Sequence, residues 1–337
     1  MYRIALNFED GITQFIEAGE GESIADAAYR QAVNVPLDCA NGVCGTCKAR
    51  CQSGQYDPGG YSEDALTVAE AAEGYLLCCQ ARAESDMVVD IMATSQACKV
   101  RARGMVVDIA DIEMLSPGRI RLSIAASAAE LPMFLPGQYV NLSVINEPVG
   151  RSYSFASAPG SDVARFLIRN VPGGRMSSYL ATGARKGDQL RLDGPFGSFY
   201  LRPPRRPLLL LAGGTGIAPI LSMLEHLATE RDCRQPVDLV YGARNEEDLV
   251  ELERIEALKA AIPGFSYRTI CSGHGNRHPL TGRVTDHLDA SAVNGGDTDV
   301  YLCGPPDMVE SARYHVIALG VPTERVYFEK FVPAAAA

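Results

Sequence analysis

Three closely spaced cysteines form the most informative chemical motif of this 337-residue chain. Cys39, Cys44 and Cys47 occur in the segment CANGVCGTC, with the spacing C-x4-C-x2-C. Thiolates at this spacing, with a more distant fourth cysteine, bind a [2Fe–2S] cluster of the plant type. Gly42 and Gly45 allow the backbone to turn tightly, so that three thiolates can reach two adjacent irons. A zinc site would more naturally contain two separated C-x2-C pairs, so the sequence predicts an iron–sulfur cluster.

A glycine-rich segment further along the chain has the character of a dinucleotide-binding turn. It lies between the apolar run LLLLAG and the segment PILSMLEHLATE, which predict a buried strand and a helix. A strand–turn–helix unit of this kind binds a pyrophosphate at the helix N-terminus, where free N–H groups converge. No Gly-Lys-Ser/Thr sequence follows, so it is not the phosphate-binding loop of nucleotide hydrolases. The predicted contact residues are Gly213, Gly214, Thr215 and Gly216.

Cys303 and Gly304 form a second candidate nucleotide contact at the end of the strand segment DVYLCG. Ligands of open α/β sheets bind beside the carboxyl ends of the strands. A cysteine at that place is therefore a candidate site residue, although a cysteine within a strand is also a common small core residue.

The spacing of apolar residues divides the chain into three predicted domains. Residues 1–97 begin with a strand pair around the turn at Asp10-Gly11. Residues 102–203 contain short alternating segments such as IRLSIAA and RFLIRN, which predict a small antiparallel β-barrel. In residues 205–332, apolar strands alternate with helices, as in a doubly wound parallel sheet. The predicted fold is thus multidomain, with α+β, β and α/β parts.

Charge is unevenly distributed along the chain. Residues 1–99 hold six basic and fifteen acidic side chains, a net charge of −9, whereas the whole chain has a net charge of −10. An acidic module beside a nearly neutral remainder predicts docking to a basic protein surface. The same charge argues against nucleic acid as a partner, because phosphates would be repelled. The alternative explanation is that the acidic side chains simply keep the module soluble.

Composition also indicates where the protein works. The sequence contains no run of about 18 apolar residues, and MYRIALNFEDG has neither the basic nor the apolar region of a signal peptide. We therefore expect a cytoplasmic protein without membrane contact. In a reducing compartment, clustered cysteines serve metal binding or catalysis and not disulfides.

Taken with these motifs, residues 1–97 resemble a plant-type ferredoxin domain, which has a β-grasp fold. In that family the fourth cluster ligand precedes a short stretch that ends in Ser-Asp. The segment CQARAESD satisfies this pattern if the ligand is Cys79, with Cys78 packing beside it. The resemblance therefore implies that the cluster ligands are Cys39, Cys44, Cys47 and Cys79. Cys78 is the alternative to Cys79.

The segment RSYSFAS resembles the flavin-binding signature R-x-Y-[ST]-x-x-[ST] of the ferredoxin-NADP reductase superfamily. A flavin needs a flat aromatic group beside its ring, a cation near its diphosphate and a hydrogen-bonding group near N5. The resemblance implies that Arg151 meets the FAD pyrophosphate, Tyr153 flanks the flavin and Ser154 approaches N5. In the segment GGRMSS, it implies that Gly174, Met176 and Ser177 bind the FAD pyrophosphate at a helix start.

Two segments near the end of the chain match the same superfamily. The segment YLCGPPDM implies that Cys303 lies close to the nicotinamide C4. The segment FEKF resembles the terminal segment beside the flavin, where Glu329 joins Ser154 in a hydrogen-bond network. The resemblance also implies that Phe331 is a cofactor-binding residue, but six residues follow it here, and which aromatic ring covers the flavin stays open. Ser154, Cys303 and Glu329 are therefore the residues that the resemblance places at the reacting atoms.

The domain order resembles that of the reductase components of aromatic-ring dioxygenases of the benzoate and anthranilate type. This resemblance implies that NADH reduces FAD by hydride transfer and that the flavin passes single electrons to the cluster. The expected partner is a terminal oxygenase of the Rieske type, which docks near the acidic ferredoxin domain of a monomeric reductase. The alternatives are the reductase of a di-iron monooxygenase, a stand-alone oxidoreductase that passes electrons from NADH to a small acceptor, and a redox-sensing module.

Overall fold

A computed structural model describes residues 1–37, 40–99, 103–125, 131, 133–145, 147, 150–230, 235–273, 275 and 277–332. The chain divides into two compact units. The first consists of Met1–Arg103 with Gly194–Ser198, and the second of Gly104–Asp193 with the chain from Phe199 onward. Among the described residues, no helix is both long and apolar enough to cross a membrane.

The first unit is built around a five-stranded sheet. The strands of this unit are β1 (Tyr2–Phe8), β2 (Thr13–Ala18), β3 (Lys48–Ser53), β4 (Tyr56–Asp57), β5 (Tyr75–Leu77), β6 (Arg82–Ala83) and β7 (Met87–Ile91), and its helices are α1 (Ile24–Arg30), α2 (Val68–Ala72) and α3 (Ser95–Lys99). Strands β4 and β6 pair with each other in a separate two-stranded sheet. The strand order is β2-β1-β7-β3-β5, with β1 antiparallel to β2 and parallel to β7. Alternate residues of β1, which are Ile4, Leu6 and Phe8, are buried, as the period of two in a strand requires. The predicted strand pair around Asp10-Gly11 is confirmed.

Most of a six-stranded sheet belongs to the second unit. Its elements are β8 (Arg103–Ser116), β9 (Arg119–Ala125), β10 (Tyr139–Val144), β11 (Arg151–Ser154), β12 (Val163–Arg169), α4 (Arg175–Thr182) and β13 (Gln189–Phe196). The strand order is β11-β10-β13-β8-β9-β12. The two end strands meet through an antiparallel bridge between Phe155 and Phe166, and the N–H of Ala156 donates to the carbonyl of Arg165 at 2.7 Å. This contact closes the sheet, which confirms the predicted barrel.

The second unit continues with a five-stranded parallel sheet. Its strands are β14 (Leu208–Gly213), β15 (Val237–Ala243), β16 (Phe265–Cys271), β17 (Asp299–Gly304) and β18 (Val326–Lys330). Its α-helices are α5 (Ile217–Thr229), α6 (Leu252–Ala261) and α7 (Pro306–Ala318), and its 3-10 turns are Gly214–Gly216, Glu246–Asp248, Val284–His287, Asn294–Gly296 and Thr323–Arg325. The strand order is β16-β15-β14-β17-β18, with every pair parallel.

Successive leucines of β14 pack alternately on the two faces of this parallel sheet. Leu208 and Leu210 pack in a core with residues of α5 and α6, whereas Leu209 and Leu211 pack in a core with residues of α7. A strand that is buried on both faces must be continuously apolar, which explains the run LLLLAG. Helices on both faces make the sheet doubly wound, as predicted.

Candidate functional site

The loop that carries the clustered cysteines requires glycine at two places. Gly42 and Gly45 have φ angles of 79° and 77°, in the left-handed region that favours glycine. A Cβ atom at Gly42 would stand 2.6 Å from the carbonyl oxygen of Gly60. A Cβ atom at Gly45 would stand 3.0 Å from the carbonyl oxygen of Ala65. The loop is therefore packed tightly against the segment that follows it.

Two of the predicted ligands, Cys47 and Cys79, are brought together by the structure. A hydrogen bond between their thiols lowers the pKa of Cys79 to about 6, against the effect of burial, and raises the pKa of Cys47. The Nε2 group of Gln80 lies 3.7 Å from the Cys79 Sγ atom as a donor, and the backbone N–H of Gly42 donates to the same sulfur. Donors directed at this sulfur suit a thiolate, which is the form that binds iron.

Cys78, the alternative fourth ligand, has a different environment. Its side chain is buried in the core, and burial, together with the neighbouring thiols of Cys79 and Cys98, raises its pKa. The contacts of the two adjacent cysteines therefore favour Cys79 over Cys78 as a ligand. Cys44 is half-buried on the glycine-containing loop, and Cys39 lies outside the described residues.

The complete ligand set stays a prediction. In the part of the chain that the structure describes, no group of three or more metal-ligating side chains is arranged to hold a metal ion. The residues present nevertheless fit a [2Fe–2S] cluster, because the thiols of the turn and of Cys79 supply sulfur donors and the glycine backbone leaves room close to them.

The predicted flavin strand places a cation and a phenol side by side. Arg151, Tyr153 and Ser154 lie on β11, and Tyr153 is paired with Val140 of β10 in an antiparallel ladder. Burial raises the pKa of Tyr153, and the nearby Arg151 guanidinium acts in the opposite direction. Tyr153 therefore stays a neutral phenol whose ring can lie against an apolar group. The arrangement fits an FAD with its pyrophosphate near the guanidinium and its ring system near the phenol.

The predicted pyrophosphate contact is the N-terminus of α4. Gly174 is the N-cap residue and supplies no side-chain hydrogen bond, so the first N–H groups of the helix lack a side-chain cap. The Ser177 hydroxyl donates to the carbonyl of Val171 at 3.0 Å and accepts from its N–H at 3.2 Å. Met176 is buried in the barrel core. Ser177 and Met176 therefore hold the turn with their side chains, and their backbone N–H groups remain the predicted contacts to the FAD pyrophosphate.

Close packing explains the glycines of the predicted dinucleotide turn. A Cβ atom at Gly216 would collide with the carbonyl oxygen of Cys303, and one at Gly213 would collide with the Met308 sulfur. Gly304 has a φ angle of 153°, and its Cβ atom would stand 3.0 Å from the Cα atom of Gly213. The ends of β14 and β17 thus approach each other without side chains between them, which lets a ligand come close to the backbone.

The three residues that were predicted at the reacting atoms meet in the structure. Ser154 is buried at the end of β11, and its hydroxyl donates to Glu329 Oε2 at 3.1 Å. Glu329 and Cys303 are register partners on the adjacent strands β18 and β17. Burial and the Glu329 carboxylate both raise the pKa of the Cys303 thiol, which is fully buried and therefore neutral. The N–H of Phe331 donates to the Gly304 carbonyl at 2.9 Å, so Phe331 lies at the same end of the sheet.

Sequence reasoning missed one charged pair beside the dinucleotide turn. Arg119 of β9 forms an ion pair with Asp248 at 3.3 Å, and both side chains are largely buried. The Arg119 guanidinium also lies 3.3 Å from the position that a Cβ atom of Gly214 would occupy. Because Arg119 belongs to an ordinary alternating strand of the barrel, no local pattern distinguishes it from other arginines of that sheet.

Three protein-family models match the chain in succession. A 2Fe-2S iron-sulfur cluster binding domain matches residues 7–84, an oxidoreductase FAD-binding domain matches residues 107–200, and an oxidoreductase NAD-binding domain matches residues 210–314. The chain therefore contains the domains for a [2Fe–2S] cluster, for FAD and for a nicotinamide dinucleotide.

Similar proteins extend over almost the whole chain. The toluate 1,2-dioxygenase electron transfer component of Pseudomonas putida is 47% identical over 335 residues, which are 99% of each chain. The anthranilate 1,2-dioxygenase electron transfer component of Acinetobacter baylyi is 38% identical and covers 98% of this chain and 97% of its own. The solved structure of an Amycolatopsis cytochrome P450 reductase has a TM-score of 0.74 at 31% identity, covering 98% of this chain and 100% of that one. This chain belongs to the family of dioxygenase electron transfer components, oxidoreductases that carry electrons from NADH through FAD to a [2Fe–2S] cluster.

Proposed function

We propose that this chain is the reductase component of an aromatic-ring dioxygenase and delivers electrons to a Rieske-type terminal oxygenase. The observation that carries this proposal is the meeting of Ser154, Glu329 and Cys303, which come from the barrel and from two strands of the parallel sheet. A flavin-binding strand and a nucleotide-binding sheet edge are thereby joined at one place, as a hydride transfer between two cofactors requires. The similarity to two dioxygenase electron transfer components supports the choice of oxygenase.

FAD, when bound, supplies the chemistry that converts a two-electron hydride transfer into single-electron steps. The role of the chain is to bind and to orient. The Ser154 hydroxyl donates to the Glu329 carboxylate, so a hydroxyl and a carboxylate are held in fixed positions at the end of β11. The buried Cys303 thiol stays neutral, so it adds no charge at this place and cannot accept a proton as a base. Arg151, Tyr153 and Phe331 are the further flavin contacts, while Gly174, Met176 and Ser177 bind the FAD pyrophosphate through backbone N–H groups.

The dinucleotide contacts follow from the glycine packing. Gly213, Gly214, Thr215 and Gly216 form the turn before α5, and Gly304 lies opposite at the end of β17. Because the glycines there have no Cβ atoms, the pyrophosphate of NADH can approach the backbone N–H groups at the helix start.

The terminal oxygenase docks at the acidic ferredoxin part in this proposal. Residues 1–99 carry a net charge of −9, which attracts a basic protein surface over a distance of roughly 10 Å at ordinary ionic strength. Free cysteines that ligate a cluster persist in a reducing compartment, and we therefore place the protein in the cytoplasm. We also expect the reductase itself to be a monomer.

Reconstitution with a purified terminal oxygenase tests this function. With NADH, the chain should support product formation by a Rieske-type aromatic-ring dioxygenase, and the apparent KM for the oxygenase should rise as salt screens the acidic surface. If the chain instead sustained turnover only of a di-iron monooxygenase, or reduced only dyes, the corresponding alternative function would replace the proposed one.

We expect NADH to be preferred over NADPH. The segment YGARNEED spans the end of β15 and the residues after it, and Glu246 and Glu247 lie in a 3-10 turn just beyond that strand. Their carboxylates would repel the 2′-phosphate of NADPH, while Arg244 is the one nearby cation of this segment that could attract it. The kcat/KM of flavin-dependent ferricyanide reduction should therefore be at least about tenfold higher with NADH, which corresponds to roughly 1.4 kcal/mol. A kcat/KM for NADPH equal to that for NADH would contradict this prediction.

A further inference from the structure

Three side chains of the nucleotide-binding part form hydrogen bonds with the backbone of three consecutive residues of the flavin-binding part. The Ser222 hydroxyl donates to the carbonyl of Ser157 at 2.8 Å. The Glu225 carboxylate accepts a hydrogen bond from the N–H of Ala158 at 2.9 Å. Arg254 donates to the carbonyl of the residue before Ser157, which is Ala156. The held segment, residues 156–158, begins two residues after Ser154 at the end of the flavin strand.

The three side chains also support one another. Arg254 Nη2 lies 2.6 Å from Glu225 Oε1, and its Nε atom donates to the same oxygen at 2.9 Å. The Arg254 guanidinium is further paired with Glu251 at 3.6 Å, and Glu251 accepts from Arg121 of β9 at 3.0 Å. The Glu251 side chain is only 1% exposed. Charge pairs that are withdrawn from water in this way hold a defined geometry, because breaking them leaves a buried charge without a partner.

Helix α5 connects this contact to the dinucleotide turn. The helix begins at Ile217, directly after the turn Gly214–Gly216, and both Ser222 and Glu225 lie on it. At a rise of about 1.5 Å per residue, Ser222 is roughly 7.5 Å along the axis from the first helical residue. Helix α5 thus contacts residues 156–158, just after Ser154, through Ser222 and Glu225. The proposed pyrophosphate site of the nucleotide lies at the N-terminus of the same helix.

We propose that Ser222, Glu225 and Arg254 are positioning residues that set the distance and angle between the bound nicotinamide and the flavin. They act by fixing α5, and with it the dinucleotide turn, to the strand that carries Ser154. Hydride transfer depends steeply on the approach of donor and acceptor, so a displacement of about 1 Å at the reacting atoms can cost about a hundredfold in rate. The inference rests on hydride transfer from NADH to FAD and is independent of the identity of the oxygenase.

The test compares flavin reduction in the full-length holoprotein and in the Glu225→Ala variant under anaerobic conditions. At saturating NADH, the rate of flavin reduction should fall about tenfold to a hundredfold. The apparent Kd of NADH should change less than about threefold. FAD content and flavin reduction by dithionite should stay unchanged, because none of these properties depends on the position of the nicotinamide relative to the flavin. Deuterium at the transferred position of NADH should slow the variant's turnover more than that of the parent, because hydride transfer becomes rate-limiting.

Two further variants keep this test decisive. Ser222→Ala removes a single hydrogen bond and should lower the rate of flavin reduction severalfold, which gives the result even if Glu225→Ala fails to fold. Glu230→Gln is the matched control, because Glu230 directly follows α5, is exposed and lies 3.7 Å from the His226 ring, away from residues 156–158; its rate should equal that of the parent. An unchanged rate in Glu225→Ala and Ser222→Ala, or a loss carried by the Kd of NADH or by FAD content, would overturn the proposal.

Discussion

Cys79→Ser should abolish the electron paramagnetic resonance signal of the reduced [2Fe–2S] cluster or shift it strongly, whereas Cys78→Ser should leave it nearly intact. Cys79 is hydrogen-bonded to Cys47 and receives donors from Gln80 and Gly42. Cys78, one residue earlier, is buried in the core. A serine hydroxyl is a poor substitute for a thiolate on iron, so the effect of the first change should be large.

Cys78→Ser is the matched control for this experiment, because it makes the same chemical change one residue away. It places a hydroxyl in an apolar core position and should therefore lower the free energy of unfolding by about 1–3 kcal/mol. Iron content and the optical spectrum should nevertheless match those of the parent. The reverse result, with the cluster lost in Cys78→Ser and kept in Cys79→Ser, would transfer the fourth ligand to Cys78.

Removal of the first 98 residues should eliminate electron delivery to the oxygenase while leaving flavin chemistry largely intact. The predicted limits of the three domains are 1–97, 102–203 and 205–332, and every flavin and nucleotide contact that we propose lies after residue 102. A protein that starts at Lys99 should bind FAD and reduce ferricyanide with NADH at close to the full-length rate. Oxygenase turnover should fall to background, because in the proposed order the cluster is the group that passes single electrons to the oxygenase.

The control for this experiment is the full-length chain measured with the same two acceptors. Product formation by the oxygenase with the truncated protein would mean that electrons leave directly from the flavin. The order NADH, FAD, cluster, oxygenase would then be wrong for this chain. A truncated protein that binds no FAD would instead show that the domain limits are misplaced, and FAD content separates these two outcomes.

Local patterns were sufficient to predict the barrel and the parallel sheet, because each pattern has one structural cause, whereas the β-grasp fold of residues 1–97 came from the family resemblance. The run LLLLAG predicts β14 because a strand buried on both faces must be apolar throughout. The glycines at 213 and 216 indicate close backbone approach, and the structure shows which atoms a side chain would strike. The meeting of Ser154 and Glu329 came from a family resemblance, because no spacing rule relates residues so distant in sequence.

The contacts of the second unit that hold helices to the barrel could not be predicted, because their residues look ordinary in sequence. Glu225 and Arg254 occur in helical segments whose charged residues normally face solvent. Glu251 adopts a φ angle of 64°, which is unusual for a residue with a long side chain, and nothing in the surrounding sequence indicates it. Tertiary packing decides both features, since the partners come from β9 and from the segment after β11.

The burial of Cys303 has a consequence for the durability of the protein in air. Peroxide oxidises thiolates that solvent can reach. Cys303 has no exposed surface, and the neighbouring Glu329 carboxylate keeps its thiol protonated. Cys51, by contrast, is partly exposed at the end of β3. Oxidative damage should therefore reach the partly exposed Cys51 well before Cys303, so that the buried cysteine near the end of β17 outlasts the cysteine of β3.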